Sequence, residues 1–143
     1  HPQLPAYKKL IEIPFGAELD FSYRSNKIER IKLEDLGITN PLFPTQPSIS
    51  KSMDESEIEF EFAQTAYEKN SFDNHELATV EILGIMRGVR IARLTVAPIY
   101  YNPTQAEIKI HNDLEIEINF KNADIAKQTK IRENTYSPYF EHV

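Results

Sequence analysis

Few residues in this chain have both the type and the spacing for chemistry. Four histidines stand at positions 1, 75, 111 and 142, and the 143 residues include no cysteine. Without a thiol there is no cysteine nucleophile, no thiolate metal site and no disulfide. No two histidines stand four apart, the spacing that puts a pair of metal ligands on one helix face. His75, in Asp73-Asn74-His75-Glu76, has the acidic neighbour that a serine triad needs, but the polar run around it reads as a solvated turn. Glu57, Glu59 and Glu61 alternate, with Asp54 and Glu55 just before them. They lack the ligand rhythm of a calcium loop and read as the charged outer face of an edge strand. Gly84-Ile85-Met86-Arg87-Gly88 lacks the Gly-Lys-Ser/Thr ending of a phosphate loop, and Pro103 blocks Asn102-Pro103-Thr104 as a glycosylation acceptor. Nothing in this set points to a catalytic residue, a metal ligand or a cofactor.

The aromatic groups Tyr100-Tyr101 and Tyr136-Ser137-Pro138-Tyr139-Phe140 read as core packing and as a tail strand docking on a sheet. A carbohydrate- or protein-binding platform is the alternative. Sixteen basic against twenty-two acidic side chains give a net charge of −6, which argues against a general nucleic-acid binder. No apolar run approaches the roughly 18 residues of a membrane-spanning helix. With 41% apolar and 27% charged residues, the composition is that of a folded globular chain, and the length suits one domain. The chain starts at His1 and its methionines are Met53 and Met86, so it reads as a piece processed or excised from something longer.

Strands must position these side chains. Apolar residues alternate with period two in Leu10–Ile13, Leu19–Tyr23, Ile58–Phe62, Ala78–Leu83, Val89–Val96, Ala106–Ile110 and Leu114–Phe120. Turn chemistry separates them at Pro14-Phe15-Gly16, Asn40-Pro41, Pro44-Thr45-Gln46-Pro47, Asn102-Pro103 and Asn112-Asp113. Only Ile28–Leu36 and Asn122–Glu133 carry a weak helical pattern. The pattern predicts an all-β fold, an antiparallel sandwich or barrel of about eight strands. Residues 40–56 read as an ordered surface crossing rather than a linker.

Register must keep the apolar set on the buried face, and this defines two hairpins. In Ala106–Phe120 a three-residue loop, His111-Asn112-Asp113, pairs Ile110 with Leu114 and Ile108 with Ile116 and sets Lys109 opposite Glu115. Asn or Asp supplies the left-handed residue that such a loop needs. The other hairpin joins Ala78–Leu83 to Val89–Val96 through Gly84–Gly88. It pairs Leu83 with Val89, Val80 with Ala92, Ala78 with Leu94 and Thr79 with Arg93. Arg90 and Arg93 then belong to the strand, whereas Arg87 sits at a loop tip bracketed by glycines. Ile85 and Met86 of that tip have no evident core to enter. The expected interior is Val80, Ile82, Leu94, Val96, Ile108, Ile110, Ile116 and Ile118.

The succession of motifs resembles one family. His1-Pro2-Gln3-Leu4-Pro5 opens into a strand. Pro44-Thr45-Gln46-Pro47-Ser48-Ile49-Ser50-Lys51-Ser52 and Ala66-Tyr67-Glu68-Lys69-Asn70-Ser71-Phe72 follow. Then come Ile85-Met86-Arg87-Gly88 through Ala97-Pro98-Ile99-Tyr100-Tyr101-Asn102-Pro103, and Ile108–Phe120. In this order they resemble the N-terminal pro-region of gingipain-type cysteine proteases over essentially the whole chain. The resemblance implies a jelly-roll-like β-sandwich ahead of a caspase-like peptidase domain in a secreted bacterial precursor. It implies export through the periplasm to the cell surface, and a prodomain that assists folding and keeps the peptidase latent. The catalytic cysteine and histidine would lie in the peptidase domain. On this view residues 1–143 are a single prodomain, with a further N-terminal segment and the peptidase domain outside it.

Within that resemblance Gly84, Ile85, Met86, Arg87 and Gly88 form a candidate inhibitory loop. Arg87 is the candidate for insertion into the primary specificity pocket of an arginine-preferring cognate peptidase, because a guanidinium suits a bidentate clasp by a pocket carboxylate. Arg90 and Arg93 are secondary docking candidates, and the Glu57–Glu61 row is a candidate for charge steering. The rival function is that of a non-catalytic surface domain, adhesive or carbohydrate-binding, with Tyr100 and Tyr101 as its platform.

Overall fold

A computed structural model describes residues 2–48, 50 and 60–135. Six strands dominate these described residues: β1 (Tyr7–Glu12), β2 (Glu18–Lys32), β3 (Ala78–Met86), β4 (Val89–Val96), β5 (Ile99–Asn102) and β6 (Glu107–Lys121). They form two sheets, with strand orders β1-β4-β3 and β2-β6-β5. Helical structure is limited to a 3-10 turn at Leu33–Leu36, the single turn α1 (Gln64–Tyr67) and α2 (Ile125–Thr135). The fold is all-β, as the alternation predicts.

The described residues pack as two compact units, one from 2–5, 27–48, 50, 60–75 and 98–112, the other from 6–26, 76–97 and 113–135. In the first, buried Leu33, Tyr101 and Ile108 gather Leu4, Ile31, Leu42, Tyr67, Ile99 and Ile110. The Tyr67 hydroxyl donates to the Leu42 carbonyl at 2.7 Å, so its polar end is satisfied beside that core. In the second, Ala78, Leu94 and Val96 of the β1-β4-β3 sheet meet Phe21 of β2 and Leu114 and Ile116 of β6. That is sandwich packing, inner face on inner face. Ile13, Ala17 and Ala92 make an adjoining cluster with Ile11, Leu19 and Val80.

Several elements differ from expectation, each for a physical reason. The strand count falls from about eight to six among the described residues, chiefly because β6 is continuous. There is no hairpin at His111-Asn112-Asp113. Ile110 pairs with Ile99 and Ile108 with Tyr101, so a separate strand, β5, occupies the edge that the hairpin would have filled. Asp113 does take a left-handed φ of 54°, but inside the strand. Past that point the side-chain pairs Asn26–Asp113, Arg24–Glu115 and Asp20–Lys121 run in opposite order along β2 and β6, as antiparallel strands require.

The helical pattern at Ile28–Leu36 also gives way. Residues 28–32 complete β2, in which odd positions such as Leu19, Phe21, Glu29 and Ile31 are half-buried while Ile28 is 54% exposed. The weak pattern at Asn122–Glu133 is a real helix, shifted to Ile125–Thr135. Of the run Ile58–Phe62, residues 58 and 59 lie outside the described residues and 60–62 form no strand. There the Gln46 side chain takes the place of a strand partner, accepting from the Glu61 amide at 2.9 Å and donating to its carbonyl at 3.0 Å. Ile82, expected inside, is 51% exposed on the outer strand β3.

Ile13 is fully buried between β1 and the turn that follows, and its amide donates to the Arg90 carbonyl at 2.8 Å. Ile13→Ala is expected to lower the unfolding free energy by about 2–5 kcal/mol, whereas truncating an exposed residue of similar size costs well under about 1 kcal/mol. Urea unfolding of Ile13→Ala beside Ile85→Ala measures the contrast, and equal losses would contradict this core.

Candidate functional site

The hairpin of β3 and β4 closes on two residues. Met86 pairs with Val89, so Arg87 and Gly88 are the whole turn, with φ of 50° and 76°. Two consecutive positive φ values are the type I′ geometry, whose twist matches that of the flanking strands. The expected five-residue loop is therefore mostly strand, with Gly84 opposite Ile91 and Ile85 opposite Arg90. A register shift between Ile82 and Gly84 leaves Leu83 as a bulge. Farther down, Val80 pairs with Leu94, Ala78 with Val96 and Thr79 with Thr95, two residues from the expected partners. A shift of two keeps every side chain on its predicted face, which is why Leu94 and Val96 are buried as expected.

Arg87 is an unusual choice at this position. The left-handed region is unfavourable for any residue with a Cβ, and type I′ turns draw on Asn, Asp and Gly. Holding an arginine there costs of the order of 1–3 kcal/mol. The side chain is exposed, and beside it Ile85 is 64% and Met86 55% exposed. The tip thus presents one cation flanked by uncovered apolar side chains.

Behind the turn lies α2. A Cβ added to Gly88 would stand 2.4 Å from Thr135 Oγ1 and 3.0 Å from Ile131 Cγ2, so only glycine lets helix and turn meet. The helix is anchored elsewhere as well. Asp124 caps its first turn, accepting from the Lys127 amide at 2.9 Å, and the Asp124 amide donates to the Phe15 carbonyl at 2.7 Å. Arg132 Nη2 lies 2.6 Å from both carboxylate oxygens of Glu12, and Gln128 Nε2 donates to Glu12 Oε1 at 2.5 Å. Sequence reasoning missed Glu12, Gln128, Arg132 and Thr135. Gln128 and Arg132 stand one helical turn apart and share a face, but nothing local marks Glu12 as their common partner.

The other candidates are placed as follows. Arg90 and Arg93 are on β4, not on the tip. Arg90 Nη1 donates to the Ala17 carbonyl at 2.9 Å, and Arg93 sits directly opposite Glu81, 2.5 Å from its carboxylate, where Thr79 was expected. Tyr100 is 9% and Tyr101 1% exposed, so neither offers the carbohydrate platform that exposure would allow. Of the acidic row only Glu61 is described; Glu57, Glu59 and the Tyr136–Phe140 cluster lie outside the described residues. Among the described residues no three His, Asp or Glu side chains could hold a metal ion, and no helix is long and apolar enough to cross a membrane.

His75 is not in a solvated turn. Its ring stacks on Tyr100 with centroids 4.1 Å apart and planes 9° from parallel, and its Nδ1 is 3.4 Å from Asp73 Oδ2. His111 tilts against the same tyrosine ring at 5.1 Å, and Lys109 Nζ lies 4.4 Å from that ring and 5.0 Å from Phe72. Neither ring nitrogen of His111 has a hydrogen-bond partner among the described residues.

Residues 1–137 match the Propeptide_C25 family. The chain belongs to that family. It is 39% identical over 140 residues to Lys-gingipain and to Lys-gingipain W83 of Porphyromonas gingivalis, aligned over 98% of this chain and 8% of each relative. It therefore spans under a tenth of their length, and the match places it in the propeptide, not in the catalytic part. A structure from work on the zymogenic latency of gingipain K of Porphyromonas gingivalis superposes with a TM-score of 0.80 at 40% identity, covering 85% of this chain and 66% of that one. The complex of Porphyromonas gingivalis RgpB pro- and mature domains shares the fold, with a TM-score of 0.65 at 19% identity over 97% of this chain and 72% of that one.

In this Propeptide_C25 chain, burial holds the His111 imidazole below the ordinary histidine pKa, and the charges of Lys109 and His75 act in the same direction. With the folded pKa depressed, the unfolded chain binds more protons below about pH 6.5. The stability that His111 contributes as a neutral ring is complete above that pH and is lost as pH falls toward the folded value. The melting temperature should drop between pH 7.5 and pH 5.5, and His111→Phe, which sacrifices no hydrogen bond, should flatten that part of the profile. An unchanged profile in the variant would contradict this assignment.

Proposed function

We propose that this chain keeps the peptidase domain of its own precursor latent by presenting Arg87 as a substrate-like residue, and that it assists the folding of that domain. The observation that carries the proposal is a conflict between local preference and residue choice. A two-residue turn with φ of 50° and 76° calls for Asn-Gly, and the chain has Arg-Gly. A strained residue at an exposed tip is the kind of local-rule violation that function rather than folding explains.

The chemistry suits the role. A guanidinium is always charged and offers a planar fork of donors to a pocket carboxylate. The turn is tied at both ends into paired strands, so little ordering entropy remains to be lost on binding. Ile85 and Met86 supply apolar surface beside the charge. Such a contact would form part of a broad interface, with about 1,200–2,000 Å² buried in all, to which Arg90 and Arg93 are secondary contributors. Membership of the family and likeness to a structure studied for gingipain K latency support this reading, as does the complex of RgpB pro- and mature domains. The relatives matched by sequence are Lys-gingipains, yet the tip residue is arginine, so the cognate peptidase should prefer arginine over lysine. Export from a bacterial cell with the precursor belongs to the same proposal.

Arg87→Asn separates folding from function because its two expected effects have opposite sign. Asparagine tolerates the left-handed turn, so the variant should unfold at equal or higher urea concentration than wild type. Inhibition of the cognate peptidase, measured on arginyl and lysyl peptide substrates, should weaken by about two orders of magnitude or more, the scale of losing a buried charged contact. A well-folded Arg87→Asn chain that inhibits as well as wild type would overturn the proposal.

A further inference from the structure

We infer that α2 is a strut that fixes the direction of the Arg87–Gly88 turn, and that Glu12 is the positioning residue that holds the strut in place. This rests on the inhibitory reading of the hairpin. None of the helix's residues is fully buried, so burial of an apolar face does not hold it. An isolated helix of 11 residues is marginal in water. Its place therefore depends on three fixings: the Asp124 cap with its amide on Phe15, the Glu12 carboxylate held by Gln128 and Arg132, and the contact of Ile131 and Thr135 with Gly88.

These fixings form a chain of contacts to the tip. Glu12 is the last residue of β1 and pairs with Ile91 of β4, only a few residues from the turn. From there its carboxylate grips the helix at Gln128 and Arg132, one turn apart, and the helix ends on the back of Gly88. A hairpin tip with solvent on every side would flex about its two positive-φ residues. With Thr135 against Gly88, one direction of that flexing is blocked. Gly88 thus has two reasons to lack a side chain, the left-handed φ and the helix behind it. An ordered tip loses less freedom on entering a pocket, so the strut should appear in affinity rather than in fold stability.

Two measurements test the inference, the first without any peptidase. Hydrogen exchange of amides 85–88 in the free chain should accelerate in Glu12→Gln, while amides in the paired body of β3 and β4 keep their wild-type rates. Inhibition of the cognate peptidase should then weaken about two- to fivefold, the scale of one well-formed surface ion pair, with dissociation faster and urea midpoint unchanged. Swapping the pair, Glu12→Arg with Arg132→Glu, should restore both readouts, which a general loss of structure would not do. Glu12→Gln with unchanged exchange at 85–88 would overturn the strut, even if Arg87→Asn abolishes inhibition. Accelerated exchange with undiminished inhibition would also overturn it, provided Arg87→Asn still inhibits poorly. Arg87→Asn inhibiting like wild type would instead remove the inhibitory reading beneath it.

Discussion

β4 is hydrogen-bonded along both edges, to β1 and to β3, and the hairpin depends on that double pairing. With Tyr7 opposite Val96 on one side and Ala78 opposite Val96 on the other, β4 cannot slip without breaking both ladders. Slipping by one residue would also turn Ala92, Leu94 and Val96 out of the core. The register in turn fixes where β4 begins, and so fixes Arg87 and Gly88 as the turn. The Leu83 bulge accommodates the odd residue on β3 without disturbing the buried face. A core on one side of a sheet thereby determines which side chain stands at its far tip.

Around that tip the sequence works against its own local preferences. Gly88 satisfies a positive φ and a close approach together, whereas Arg87 satisfies neither turn propensity nor burial. Where propensity, patterning and packing otherwise agree, as they do along β4, a conflict at the exposed tip of its hairpin points to a position kept for something other than folding. Within the same compact unit, α2 is a polar helix that contributes little to the core yet ends against the turn. Both features make sense if the hairpin must be presented in one orientation to a partner.

The bounds of β4 are readable to the residue because its apolar run is closed by Gly88 and by Ala97-Pro98, and Ala92, Leu94 and Val96 alternate with polar Arg93 and Thr95. The neighbouring hairpin is readable by face but not by partner, since a two-residue shift leaves the alternation unchanged. β6 shows why alternation alone cannot separate a hairpin from one long strand. Ile108, Ile110, Leu114, Ile116 and Ile118 fit the alternation expected of either arrangement, and Asp113 suits a left-handed φ in either. What decides is β5, whose Ile99 and Tyr101 pair with Ile110 and Ile108 across the turn at 103–106, a neighbouring hairpin that competes for the same strand. The helix α2 carries no apolar stripe to announce it, and the Glu12–Arg132 contact joins residues far apart in the chain. Arg87 stands out from the sequence because two glycines bracket it, but its left-handed φ, which Ala106 shares at 47°, is visible only in the structure. His75 reads as solvated because its neighbours are polar, while the Tyr100 ring that covers it comes from β5, farther along the chain.

On the proposed function, Arg87 and a substrate's arginine compete for the same pocket. The most direct measurement is equilibrium binding of this chain to the mature cognate peptidase while a small guanidinium-bearing active-site ligand is titrated in. Mutual exclusion is expected, with the apparent Kd of the chain rising in proportion to ligand concentration beyond the ligand's own Kd. A ternary complex, in which the chain binds with unchanged affinity to a peptidase saturated with the ligand, would contradict it.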